Sequence, residues 1–301
     1  MLVSLLLALL RGLQHVLGGG RQRRAREKGR PTEGEHSPPS NKPHRPLLPA
    51  RPLGRLCLLW VLGLHYMAGS ILVASQGLFC NEVSQVAVAG TGSAGSANGV
   101  GSSAAFNTPF GMSTSPDGSF VLIADISNHK IRKLVVSSGL VSTFAGSGTS
   151  GGGDDIGTSA QLNKPIDVSI STDDLFAVST CHDGHRIRHI VLSTRLVTTL
   201  GGDGSTDHVN GVGTSSRFFN PVSISLNLGD SRALVGDQNN NRVRLIDTSS
   251  LQVTTVAGSG TFGGANGIGT SATFNAPRYI AVSSNDKFAV VLSGVEIAFV
   301  R

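Results

Sequence analysis

The sequence predicts an all-β fold, a β-propeller of four sheets, and three observations carry that expectation. A 56-residue segment repeats: Val141–Gly146 (VSTFAG) returns as Val197–Gly202 (VTTLGG) and Val253–Gly258 (VTTVAG), with a weaker copy at Gln85–Gly90. Other positions keep the same spacing, among them Gly101, Gly157, Gly213 and Gly269, then Phe106, Leu162, Phe218 and Phe274, then Pro109, Pro165, Pro221 and Pro277. Within each unit, short apolar alternations are separated by Gly, Asp, Asn and Ser, which is the pattern of strands and tight turns. Four strands per unit correspond to one propeller blade.

The strands follow in order. After each Pro comes a first strand (111–115, 167–171, 222–226, 279–283), a polar turn and a second strand (120–124, 175–179, 233–236, 288–292). A longer turn leads to a third strand (130–136, 186–192, 242–247), and the Val-Thr-Thr segments form the fourth. The last unit reaches its third strand at Arg301, so Gln85–Gly90 is expected to serve as its fourth, covering an edge that would otherwise invite pairing. In that unit Ser293-Gly294 replaces the longer turn, with Ala298 and Val300 expected where Arg242 and Arg244 stand.

The N-terminal quarter differs. Residues 1–55 hold eleven Lys and Arg against three acids, and residues 31–55 hold seven of the chain's twelve prolines; such a segment buries too little apolar surface to offset its ordering entropy, so a basic, disordered tail is expected. Residues 56–81 contain no Asp, Glu, Lys or Arg, and 56–79 read as one hydrophobic helix long enough to span a bilayer. The upstream bases predict a single-pass type II anchor with residues 85–301 lumenal or extracellular; the alternative is cleavage before Gln76 and secretion. The acid-poor, Arg-rich first 26 residues also suit a plastid transit peptide. Cys57, Cys80 and Cys181 show no zinc spacing, and a Cys80–Cys181 pair is weighed against two unrelated thiols.

The turn and third strand, Asp125–Leu134 (DISNHKIRKL) and Asp237–Ile246 (DQNNNRVRLI), together with the preceding Pro and strand pair, resemble the NHL repeat family over about residues 85–301. The resemblance implies a β-propeller, usually of six blades. The four visible here leave three readings: a closed small ring, an open arc needing a partner and prone to self-association, or an incomplete part of a longer propeller.

The loops leading from one unit to the next (91–108, 147–164, 203–220, 259–276) are long and rich in Gly, Ser and Thr. In a four-stranded blade they share a face with the turns carrying Asn128, His129, His185, Asn240 and Asn241, so this face is the candidate for a protein or glycan partner. Arg132, Arg188 and Arg244 follow Asp125, Cys181 and Asp237 by seven residues. They suit either an anion-collecting ring or, as the favoured reading, closure of each blade's own turn. Arg188, with Cys181 in place of Asp, is then expected to lack a carboxylate.

His182, His185 and His189 have imidazoles fit for zinc, but alternation does not converge all three, and Asp154 and Asp155 lack the acid spacing of a calcium loop. No catalytic residue and no cofactor is expected. The resemblance raises two other readings: a zinc-dependent lyase of the peptidylamidoglycolate lyase type, and RNA binding as in tripartite-motif NHL propellers. From residue 56 onward fourteen bases face sixteen acids, which lacks the basic footprint of a nucleic-acid binder.

Overall fold

Proline suits the first position of a strand, where its fixed φ fits and no ladder amide is needed. In the computed structural model of the chain, which describes Ile71, Leu72 and residues 87–301, the repeated proline opens the first strand of every sheet: Pro109–Thr114, Pro165–Ile170, Pro221–Leu226 and Pro277–Val282. The second strands are Phe120–Asp125, Phe176–Cys181, Arg232–Asp237 and Ala289–Ser293. The third are Lys130–Val135, Arg186–Val191, Arg242–Asp247 and Glu296–Val300, and the fourth are Leu140–Ala145, Leu196–Gly201 and Gln252–Ala257. Each sheet is antiparallel, its strands adjacent in chain order.

Three of the sheets have a fifth, two-residue strand that the sequence pattern is too short to show. Gly99–Val100, Asp155–Ile156 and Gly211–Val212 lie in the loop leading into their sheet and pair with its fourth strand. Each long loop thus crosses the outer edge of its sheet before turning inward, shielding that edge from foreign pairing.

The first strands lie side by side at the centre. Ser113 Oγ accepts from Ile170 N, Ser169 Oγ from Leu226 N and Ser225 Oγ from Val282 N, at 3.1–3.3 Å. Between sheets, apolar side chains interdigitate. The second face of sheet one (Leu122, Ile131) meets the first face of sheet two (Val168, Ile190) around Leu162. The same seam recurs around Phe218 between sheets two and three and around Phe274 between three and four. Loop residues 162, 218 and 274 therefore plug the seams, which explains their recurrence in the sequence.

One expectation is corrected. The last sheet has three strands and does not borrow the N-terminal segment. Ala87–Ala89 pairs instead with Ile71–Leu72, and Ala89 packs with Ala104, Phe106 and Leu134 on the first sheet. That seat is the one Ala145 occupies beside Ala160 and Leu162 one repeat later, so packing to the following sheet decides where this strand sits. Within the expected helix at 56–79, Ile71 and Leu72 form a strand; the rest of that span and the tail at 1–55 lie outside the described residues. Among the described residues no helix is long and apolar enough to cross a membrane.

The last hairpin also shifts an alignment. Ser293 pairs with Glu296, whereas Asp125 pairs with Lys130 and Asp237 with Arg242. The turn is two residues shorter, so Ala298, opposite Val291, stands where Arg132 stands opposite Ile123 and Arg244 opposite Val235. The sequence spacing alone had put Val300 there.

Candidate functional site

Each arginine of the repeat sits at a β-bulge between third and fourth strands, where the ladder shifts between Ile131 and Arg132, Ile187 and Arg188, and Val243 and Arg244. A bulge re-aims the side chain that follows it, and all three guanidiniums are fully buried. Arg132 donates to Asp125 at 2.9 Å, to the carbonyls of Ala105 and Ala97, and to Asn98. Arg244 repeats the set with Asp237, Arg217 O, Val209 O and Asn210. Each ties its own turn to two points of the long loop. Phe106 and Phe218 lie under these guanidiniums at 5.2 and 5.1 Å, adding a cation–π contact.

The second sheet solves the same charge problem differently. Cys181 replaces the turn carboxylate and is a free, buried thiol whose pKa burial raises; Cys80 lies outside the described residues. Arg188 nevertheless has a carboxylate: Asp154, from the loop, at 2.6 Å, in the place of Asn98 and Asn210. It also donates to Gln161 O and Gly153 O. The expectation that Arg188 would lack an acid is corrected by a transposition, Asp and Asn in sheets one and three becoming Cys and Asp in sheet two.

The turn residues named as partner-face candidates also hold the fold. Asn128 Nδ2 donates to Asp125 and Gly95 O, and Asn240 Nδ2 to Asp237 and Asp207 O, which places turns and loops on one face. His129, His185 and Asn241 close their turns in the left-handed conformation, with φ of 53°, 49° and 50°. Each accepts an amide from the next loop: Lys164 N at 3.1 Å and Asn220 N at 3.2 Å onto the histidine Nδ1 atoms, Ala276 N at 3.0 Å onto Asn241 Oδ1. The amide donors Lys164, Asn220 and Ala276 are themselves left-handed residues immediately before a proline. That strained conformation persists where neighbours fix it, and these clasps between sheets do so.

Glycine at the end of each fourth strand belongs to the same construction. Gly146, Gly202 and Gly258 have φ of 98°, 91° and 98°, and a Cβ on them would lie 2.3–2.5 Å from the carbonyl oxygens of His129, His185 and Asn241. Only glycine lets the strand pass so close to the turn.

An accepting Nδ1 requires neutral imidazoles. Burial lowers the pKa of His129, with Lys164's charge adding to it, and burial lowers that of His185. The remaining histidines do not converge. His182 Nδ1 bonds Asp183 at 2.6 Å, itself bridged to Lys164 at 2.6 Å, while His189 stacks on Phe176 at 4.9 Å along the strand. Among the described residues no three acids, histidines or cysteines gather as a metal cage.

One charged residue at the axis gave no signal in the sequence. Gly111, Asp167, Ser223 and Tyr279 occupy the same repeat position on the four first strands. Asp167 Oδ1 lies where a side chain on residue 111 would begin, and its carboxylate accepts from Val168 N and Ile224 N at 2.9 and 3.0 Å. Desolvation there pushes its pKa up to about 6.

The arginine and clasp networks leave the loop tips outside. Residues 91–94, 147–150, 154–156 and 205–207 are exposed, and Phe262 and Ile268 on the fourth loop are 68% and 94% exposed. Chemically, this face offers backbone, hydroxyl, scattered apolar and carboxylate groups (Asp155, Asp207) on a fixed frame, with the repeat arginines withdrawn beneath it.

No protein-family model matches the chain. It is 27% identical over 166 residues to Protein SUPPRESSOR OF QUENCHING 1, chloroplastic, of Arabidopsis thaliana, across 54% of this chain and 16% of that protein. It is 26% identical over 161 residues to NHL repeat-containing protein 2 of Homo sapiens, across 50% of this chain and 22% of that one. The chain thus matches less than a quarter of the length of these curated relatives. Among solved structures, an auxiliary nutrient binding protein from Bacteroides ovatus superposes with a TM-score of 0.50 at 17% identity, over 62% of this chain and 46% of that one. A second such protein, from Bacteroides thetaiotaomicron, gives 0.51 at 17% identity over 64% and 48%. Likeness at that identity establishes the fold alone.

Proposed function

We propose that this chain, an NHL-type β-propeller, is a non-catalytic binding scaffold that presents its loop-and-turn face to a protein or glycan. The observation that carries the reading is the bracing of three successive loops by fully buried arginines, each bonded to two loop carbonyls and one loop side chain, Asn98, Asp154 or Asn210. A long loop held at several points loses little entropy on binding, so its exposed tip recognises a partner as a preformed surface. The neighbours named as nutrient binding proteins are in keeping with a ligand-holding role.

The zinc-lyase alternative needs histidines from several sheets meeting at one ion. Here His129 and His185 have Nδ1 occupied by backbone amides, and His182 is engaged by Asp183 and Asn220. Photo-cross-linkers placed in the full chain at Thr149, Ser205 and Phe262, read against a set of glycans and secreted proteins, test the scaffold reading. Partners captured at these tips and lost on grafting the loops to Gly-Ser support it. Stoichiometric zinc with turnover of an α-hydroxyglycine substrate, or cross-links confined to the opposite face, would refute it.

A further inference from the structure

On the face away from the long loops, each first strand turns back into its second, and these turns carry a further set of links between sheets. Residues 174, 230 and 286 share one repeat position, and all three are aspartates in the left-handed conformation, with φ of 59°, 55° and 55°. Asp286 accepts from Leu228 N at 2.9 Å and from Asn227 Nδ2 at 3.2 Å, so both its oxygens are engaged. Asp174 is exposed, and Pro116, in the place of Thr172 and Leu228, has no amide to offer it. Asp230 differs from both. It is only 8% exposed, and its Oδ2 takes both bonds from Thr172, the amide at 2.7 Å and Oγ1 at 2.5 Å.

The other oxygen, Oδ1, has no hydrogen-bond partner among the described residues. No cation faces it either, since none of the ion pairs among the described residues includes Asp230. A buried acceptor without a donor is costly and uncommon, and a buried charge calls for an opposite one. Asp230 stands in the wall of a cleft of about 190 Å³, where the ends of three successive first strands meet. Ile170, Leu226 and Val282 line it with hydrocarbon, Ser169 and Ser283 with hydroxyls, and Asp230 is its one charged residue. That volume lies below the roughly 300–1,000 Å³ of sites for drug-sized ligands, so the occupant is small. A divalent metal would need several oxygen donors, and among the described residues no second or third acid joins Asp230.

We propose that this cleft binds a primary alkylammonium group, the cation donating to Asp230 Oδ1 and its hydrocarbon stem lying along Ile170, Leu226 and Val282. An ammonium has three donors and no acceptor, which suits one carboxylate oxygen flanked by hydroxyls. The bond to Oδ1 is charge-assisted, the strong class of hydrogen bond. An alkyl stem with a charged head divides between apolar wall and polar floor as lysine side chains do on protein surfaces. The inference is independent of what the loop face binds, because the cleft lies at the opposite end of the first strands.

Titration of the isotope-labelled full-length chain, followed by NMR, supplies the test. Butylammonium is expected to shift the amides of Thr172 and Leu228, and n-butanol, its uncharged counterpart, to bind about tenfold more weakly or worse, the worth of one charge-assisted bond. Asp230→Asn keeps an oxygen for Thr172 but removes the charge, and a loss of the same size is expected. Ser284 lines the cleft and is exposed, so Ser284→Trp is expected to fill the cleft and abolish the shifts with the melting temperature unchanged, a result that stands even if Asp230→Asn fails to fold. Nα-acetyl-lysine amide binding more tightly than butylammonium would identify a protein's lysine as the source of the group, and weaker binding a free amine. Equal affinity for n-butanol, shifts that persist in Ser284→Trp, or no shift at millimolar butylammonium would overturn the proposal.

Discussion

Asp154→Asn removes the one carboxylate that Arg188 meets among the described residues. The asparagine keeps an oxygen at the position from which Asn98 and Asn210 accept from Arg132 and Arg244, so the change isolates charge from hydrogen bonding. Arg188 is fully buried, Asp154 is 49% exposed, and Leu162 in place of Phe106 and Phe218 supplies no aromatic face beneath the guanidinium. Removing one partner of a fully buried pair costs about 3–5 kcal/mol; with one partner half in water, about 2 kcal/mol is expected. For a propeller of this size that is about 4–8 °C in melting temperature. Cys181→Asp restores the turn carboxylate that Asp125 and Asp237 provide, so the double variant Asp154→Asn/Cys181→Asp reproduces the plan of sheets one and three and is expected to recover most of the loss. Thermal and urea unfolding of the four proteins in the cycle give the coupling directly. A single variant within about 0.5 kcal/mol of the parent, or a double variant no better than the single, would refute the account of a transposed charge.

Three further outcomes are expected. Because His129 and His185 have folded pKa values below their ordinary 6.5, the unfolded chain binds more protons than the folded one as pH falls through 6.5, and stability drops. His208, lowered to about 4 chiefly by burial, adds to the same loss between pH 6.5 and 4. His129→Asn/His185→Asn, which adopts the non-titrating clasp of Asn241, is expected to flatten this slope in pH-dependent denaturation; an unchanged slope would count against the neutral-imidazole clasp. Asp167, with its pKa raised to about 6, works in the opposite sense, so Asp167→Ser, the residue at Ser223, is expected to steepen the acid loss between pH 6 and 4. Gly202→Ala, whose new Cβ would lie 2.3 Å from His185 O at a φ of 91°, is expected to cost on the order of 3 kcal/mol in unfolding free energy, and a melt within 2 °C of the parent, less than about 1 kcal/mol, would contradict the close approach.

Much of the fold was legible because the 56-residue spacing repeats without gaps, so each strand could be read three or four times over. The strands missed are two residues long, such as Gly99–Val100, and no alternation develops over that length. The roles of the site residues were only half visible. Arg132, Arg188 and Arg244 announced a shared role, and Asp154 stood in register with Asn98 and Asn210, so the transposition could have been found by asking where sheet two kept its acid. Nothing comparable marked His129 and His185, because an imidazole accepting an amide from the next repeat leaves the same trace as an exposed turn histidine. Asp167 was hidden for the opposite reason: its counterparts Gly111, Ser223 and Tyr279 share no chemistry, since one side chain from each sheet must share the space at the axis.

The fourth sheet shows what the repeat's polar residues are for. Its turn is shortened to Gly294 and Val295, and its left-handed residue is Gly294 at a φ of 58°, which has no side chain to clasp another loop. Ala298 stands in the arginine's place, and Ser293 in that of the carboxylate. Ser293 keeps one bond of the set, accepting Asn275 N at 2.7 Å as Asp125 accepts Asn107 N. Ala281 likewise lacks the hydroxyl by which Ser113, Ser169 and Ser225 hold the next first strand. In sheets one to three the clasp and the serine reach the next sheet of the chain, and both are missing from the fourth, while the apolar positions Val290, Leu292 and Ile297 on its second face persist.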